Sequence, residues 1–445
     1  MTAQKVQVFA LGVPKADVAK EQRRWSVRWR IDGRDRMRKF KSKAQAERLR
    51  SQLLVAAGAA QPFDLATGLP AEWVRVDLSF FEWAQQWLEL KWPKWAGNSR
   101  RAGVEVLVAF TPHLVYPDAP APPVSDAELR SWLYNVAFDP NAEMDATSPL
   151  ARWFDRYSLG LNEIGAGELE FALSRGLLRV DGTTVAATTA TRRKNLLSTV
   201  LKAAARRKLI PSNPMEFVEW RNPLAVNRLD IATVPSAAEV AALVELVASA
   251  GSDARYAAMF ELMGMAGLRP SEVAGLQPGD LRLPATGWGL VRLGRATASP
   301  GERYTNVDGP FETKELKHRA IDDIREVPLP PRTVARLREH MEQFPTVDGR
   351  VFANALGRPV ASASYSRVFK RFRDELWPEG PLSKIVPYDL RHSAATIMLR
   401  AGVPPAEVAI RLGHSVDMLN RVYAGVFGGE RERSNALIDA ELDGA

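Results

Sequence analysis

Three times along the chain the spacing of apolar residues changes, and those changes limit what it can fold into. Between residues 25 and 40, "WSVRWRIDGRDRMRKF" alternates Trp25, Val27, Trp29 and Ile31 with Ser26, Arg28 and Arg30, then bends at Asp32-Gly33. This is the pattern of a β-hairpin with one buried face and an arginine-rich solvent face. "KVQVFALG" supplies a third strand. Ser42 with Gln45 can form a capping box for a helix through "SKAQAERLRSQLLVAA", with Ala46, Leu49, Leu53 and Leu54 on one side. From Leu78 the spacing is helical: "LSFFEWAQQWLELKW" repeats at three and four and sets Trp83 and Trp87 one turn apart, as core aromatics. A proline-rich loop at 117–126 follows. The next strong segment, "TTATRRKNLLSTVLKAAARRKLIPSNPMEFVEW", predicts a basic helix that ends before Pro211.

Residues 221–236 read as a linker. From about Ala237 helices resume, give way to strands near 288–330, and return at Pro331. The order predicts an α+β chain of three parts. These are a small three-stranded sheet plus helix at 1–65, a helical domain at 78–222, and a mostly helical C-terminal domain with a small sheet at 237–445.

Charge is distributed as unevenly as periodicity. The 445 residues carry a net +8, yet residues 1–50 alone hold fifteen Lys or Arg against five Asp or Glu. The remainder is therefore close to neutral, and the basic excess is an N-terminal module with folding signals of its own. A basic face on a sheet is the electrostatic footprint of a phosphate-backbone binder. Arg28, Arg30, Arg36 and Lys39 on the hairpin, and Arg192, Arg193 and Lys194 on the basic helix, are the expected DNA contacts. The chain has no cysteine and five scattered histidines. Disulfide scaffolds, zinc fingers and thiol catalysis are thereby excluded, and a metal site is not expected. Neither a transmembrane run nor a secretion signal is read from the sequence, so no membrane partner is expected.

The chemistry-bearing residues fall in the C-terminal part. "GMAGLRPSEVAGL" sets Arg269 after a tight Gly-Leu bend and Glu272 one helical turn later, where it can orient Arg269. "ETKELKHRAIDDIREVPLP" carries Lys317 between two strands, with Lys314 as second choice. "PYDLRHSAATIMLRAGVPPAEVAIRLGHSVDMLNRVYAG" then brings Tyr388, Arg391, His392, His414 and Tyr423.

GLRxSE, a hairpin lysine before R-x-VPLP, LRHxxAT, LGH, and a tyrosine nine residues after that histidine closely resemble the tyrosine recombinases, or phage integrases. The resemblance is strong over residues 237–430. By the same likeness the N-terminal and middle parts are arm-binding and core-binding domains. It implies a metal-independent strand-transferase that needs no cofactor. Tyr423 would attack a phosphodiester and form a 3′-phosphotyrosyl bond. Arg269 and Arg391 would grip the non-bridging oxygens bidentately and stabilise the added charge. Lys317 would protonate the departing 5′ oxygen, and His414 would hydrogen-bond the phosphate.

One departure concerns the base. Tyr388 stands where the family usually has histidine, and a phenol is a poor proton acceptor at neutral pH. His392, about 100° from Arg391 around a helix, is expected to pack behind the site.

The implied partner is double-stranded DNA with arm-type and core-type attachment sites. A homotetramer on DNA is expected, held partly by a C-terminal helix carrying Leu437, Ile438 and Leu442, together with an accessory directionality factor. The expected setting is the bacterial cytoplasm, at the nucleoid. Relaxation of the type IB topoisomerase kind, and DNA binding without catalysis, remain as alternatives.

Overall fold

A computed structural model describes residues 4–13, 25–40, 43–65, 67–70, 78–220, 229–315, 324–346 and 349–423, with 435, 438, 439 and 442 beyond them. The N-terminal unit is an antiparallel sheet in the order β1 (Val6–Val8), β2 (Trp25–Ile31), β3 (Arg34–Phe40), backed by α1 (Lys43–Gly58). Asp32 and Gly33 both take positive φ, as a two-residue hairpin turn requires. Val27, Trp29 and Ile31 are buried with Ala46, Leu53, Ala56 and Phe63. Leu54, expected on this buried side, is 42% exposed; α1 turns it outward while Ala56 takes the place against the sheet. The Ser42 cap lies outside the described residues.

Register corrects one of the basic-face assignments. Pairing of Ile31 with Arg34 sets Arg36 opposite Trp29, on the inner face. There Arg36 donates to the Leu65 carbonyl at 2.9 Å. Arg28, Arg30 and Lys39 do lie on the outer face, where Arg30 pairs with Asp35 at 2.7 Å.

The middle unit contains α2 (Phe80–Lys91), α3 (Gly97–Phe110), α4 (Asp126–Trp132), α5 (Pro149–Tyr157), α6 (Ala166–Gly176) and α7 (Ala187–Arg206). Ser79 with Glu82 and Ser125 with Glu128 form the capping boxes that start α2 and α4. Trp83 and Trp87 are core residues, and the Trp83 indole donates to the Val200 carbonyl at 3.1 Å. On α7, Arg192 is exposed. Arg193 instead turns inward and donates to the Gly176 carbonyl, closing the end of α6, while the Lys194 ammonium lies over Trp220. Burial lowers the Arg193 pKa from its ordinary value.

The C-terminal unit runs α8 (Ala237–Ala248), α9 (Ala257–Met265), α10 (Pro270–Ala274), β4 (Leu281–Arg282), β5 (Gly289–Leu293), β6 (Arg295–Ala298), β7 (Glu312–Glu315) and β8 (Arg325–Leu329). It continues with α11 (Pro331–Gln343), α12 (Ser362–Leu376), α13 (Leu390–Arg400), α14 (Pro405–Leu412) and α15 (Val416–Tyr423). The sheet order is β4-β5-β8, with β6 and β7 forming a separate ribbon. The segment Ile231–Ala248 is long and apolar enough by hydropathy to cross a membrane. In the fold, Val240, Leu243, Val244 and Val247 of this segment are core residues. Of the expected linker, 221–228 lie outside the described residues, and Leu229 already bonds to Val422.

The connection between β6 and β7 reaches the middle unit. Tyr304 is buried in that unit's core, and Arg303 pairs with Asp139 at 3.0 Å and donates to the Tyr134 carbonyl. The buried Arg100 donates to the Tyr304 carbonyl at 2.7 Å, and the Glu312 carboxylate accepts from the Gly97 amide at 2.6 Å. Gly97 is required there, because a Cβ would run into Pro300 and the Tyr304 carbonyl.

Candidate active site

Three chain segments bring guanidinium groups around one buried carboxylate. Gly267, at φ +71°, turns the chain between α9 and α10, so that Arg269 sits at the start of α10 with Glu272 one turn on. Glu272 is 1% exposed. Its carboxylate accepts from the Arg269 amide and the Arg269 guanidinium, both at 2.8 Å, and from the Arg325 guanidinium on β8 at 2.6 Å. Burial alone would raise the Glu272 pKa, but Arg325, Arg269 and Arg391 outweigh it and hold the group ionised below the usual carboxylate range. Three guanidiniums thus face one carboxylate, and the surplus is positive.

Arg391, on the first turn of α13, is 1% exposed. It donates to the carbonyls of Gly267 and Leu412, and lies 3.0 Å from His414 Nε2. Burial, reinforced by Arg269, depresses its pKa to about 10, so the guanidinium is still charged at neutral pH. Arg269 also donates to the Gly413 carbonyl, and Arg325 to the Leu412 carbonyl. All three arginines therefore grip the end of α14. Gly413 ends that helix in the left-handed conformation, and the chain reversal delivers His414 to Arg391. Burial and the neighbouring arginines lower the His414 pKa to about 4, leaving a neutral imidazole near pH 7. Neutral His414 can accept from Arg391 at Nε2 and present Nδ1–H; Nδ1 is buried with no partner among the described residues.

Tyr423 closes α15 and is 1% exposed. Burial raises its phenol well above the ordinary tyrosine value, with Arg391 pulling the other way. Its hydroxyl is 2.8 Å from His392 Nδ1. His392 was expected behind the site. It lies instead against the tyrosine, because α15, packed on α14, ends with Tyr423 in the apolar cluster that α13 and α14 share. Tyr388, on the short turn before α13, is 42% exposed, and its ring meets His392 edge-on with centroids 6.0 Å apart.

Of the residues singled out in the sequence, Arg269, Glu272, Arg391, His414 and Tyr423 come together. Lys317 lies outside the described residues, and Lys314 sits on β7 opposite Ala296. Sequence reasoning missed Arg325 and the contact of His392 with Tyr423. The first had a signal in "REVPLP", where the arginine leads the strand; the second had one in its place one helical turn after Tyr388. Among the described residues no cluster of His, Asp and Glu could hold a metal. The arrangement is suited to binding an anionic phosphodiester beside a tyrosine hydroxyl.

Residues 236–427 match the phage integrase family. A tyrosine recombinase XerC from Actinobacillus pleuropneumoniae is 30% identical over 172 residues, 39% of this chain and 47% of that protein. The chain thus matches about half the length of that relative. A tyrosine recombinase XerD from Ralstonia nicotianae is 27% identical over 256 residues, 56% of this chain and 72% of its own length. A putative prophage phiRv2 integrase from Mycobacterium tuberculosis is 24% identical, covering 50% of this chain and 54% of that one. Among solved structures, the Tn1549 transposon integrase in complex with a circular intermediate DNA is similar in fold. Its TM-score is 0.50 at 16% identity, over 64% of this chain and 90% of that chain.

Proposed function

From the premise that residues 236–427 are a domain of the phage integrase family of tyrosine recombinases, we propose that the chain is a site-specific DNA recombinase that integrates or excises a mobile element. The observation that carries this reading is the convergence of Arg269, Arg391 and His414 on one positively charged centre, with Tyr423 within its field. An attacking phenol oxygen must approach a phosphorus already screened by anionic oxygens, and the transition state carries additional negative charge. The Arg269 and Arg391 guanidiniums supply fixed positive charge without reorganisation, which is where such a site gains most. They meet that demand without a metal.

In the cleavage step the Tyr423 oxygen bonds to phosphorus, and the bond from phosphorus to the 5′ oxygen breaks. That oxygen leaves as a hydroxyl with a proton from Lys317. The 3′-phosphotyrosyl bond conserves the energy of the phosphodiester, so the free 5′ hydroxyl of another strand can reverse the step. The same reading assigns Arg28, Arg30 and Lys39 to arm-type DNA and Arg192 to core-type DNA. It calls for a homotetramer on paired attachment sites in the bacterial cytoplasm, with an accessory protein setting direction.

The test uses a nicked suicide substrate containing the junction of the element with its flanking DNA. The wild-type chain should form an SDS-resistant protein–DNA adduct and Tyr423→Phe none. A chain that binds the junction but gives no adduct would refute the catalytic reading.

A further inference from the structure

The recombinase reading leaves a proton unassigned, since Tyr423 is protonated in its buried setting and must lose that proton as it attacks. Tyr388, at the position from which a base is expected, is 42% exposed, and a phenol is a poor general base. One residue does contact the attacking oxygen: His392 Nδ1 lies 2.8 Å from the Tyr423 hydroxyl, within the range a general base needs. The two rings are tilted at 53° with centroids 5.7 Å apart, so the contact is made through the nitrogen and not by stacking.

Resting on the recombinase reading, we propose that His392, one helical turn along from Tyr388, is the general base for Tyr423. For that role Nδ1 must be unprotonated, with the ring proton on Nε2. The surroundings favour the neutral ring. Burial lowers the His392 pKa below the ordinary histidine value and Arg391 adds to this, while Asp389 opposes them. Tyr388, Tyr423 and the neutral His414 are the other titratable groups facing it. During cleavage the proton passes from the Tyr423 oxygen to Nδ1 as the oxygen–phosphorus bond forms. In resealing, the imidazolium returns it to the departing phenol, so His392 ends each cycle as it began.

The experiment measures single-turnover adduct formation on the suicide substrate by the full chain. The variants are His392→Gln, and His392→Ala with and without added imidazole, and binding to the same DNA is measured alongside. Glutamine keeps an acceptor for the Tyr423 hydroxyl but cannot take its proton. His392→Gln should therefore bind normally and cleave about 100-fold or more slowly, the range over which a positioned base acts. Imidazole should restore part of the His392→Ala rate. Cleavage by His392→Gln within about threefold of wild type would overturn the proposal. So would a slow His392→Ala that imidazole leaves slow, which would make His392 a positioning residue only. A blank lane for the wild type would instead remove the recombinase reading, and this proposal with it.

Discussion

Replacing Glu272 by Gln is the sharpest test of how the site is held. The carboxylate is the common partner of Arg269 and Arg325, and a third guanidinium, that of Arg391, is close enough to shift its titration. A glutamine can present its carbonyl to only one side. If it keeps the two bonds now made to Oε2, its amide group faces the Arg269 guanidinium, donor against donor. The buried Arg325 and Arg391 would then be deprived of the ionised group between them. Breaking one side of a buried ion pair costs about 3–5 kcal/mol, because the remaining charge is left uncompensated. At roughly 2–4 °C per kcal/mol for a unit of this size, the melting transition should drop by about 6–20 °C. Calorimetry of the full chain at neutral pH, with adduct formation abolished over the same transition, identifies the unit that melts.

The pH dependence follows from the sign of the shift. The folded Glu272 pKa is depressed, so its contribution is fully present above the unfolded value of about 4.3 and is lost as pH falls through the folded value. The gap between wild type and Glu272→Gln should therefore narrow on acidification below about pH 4.3. A drop under about 2 °C at neutral pH, less than 1 kcal/mol on that scale, would refute the reasoning; so would a gap that stays constant with acid.

Two further outcomes are expected. Gly413→Ala puts a side chain where φ is +61° and aims its Cβ at the Arg325 guanidinium. Backbone strain of about 1–3 kcal/mol should lower the melting temperature, and cleavage should fall by about tenfold or more through displaced groups, while DNA affinity changes little. The double variant Arg28→Ala, Lys39→Ala should flatten the plot of log affinity against log salt on arm-type DNA by about 1.8, or about 0.9 for each phosphate that is no longer neutralised. An unchanged slope would take the outer face of the N-terminal sheet out of the DNA interface.

What could be read from sequence was set by distance along the chain and by how many constraints were combined. The hairpin turn at Asp32-Gly33 depends on two adjacent residues, and their backbone chemistry decides it locally. Arg36 was misplaced although the same turn contains the answer. A two-residue loop pairs Ile31 with Arg34, and counting outward sets Arg36 opposite Trp29. Composition alone, a run of arginines, overrode a register that was already determined.

His392 shows the opposite limit. Its angle from Arg391 follows from helix geometry, but which side of α13 is the working side depends on where the end of α15 delivers Tyr423, thirty-one residues later by the His392–Tyr423 separation. The pairing of Arg303 with Asp139 and Tyr134 has no local signature at all, since its partners come from another folding unit. Spacing therefore identifies which residue types a site contains, whereas the packing of later helices decides which of two adjacent residues, Arg391 or His392, faces the nucleophile. The His392→Gln experiment consequently examines a part of the mechanism that spacing alone would have assigned to position 388.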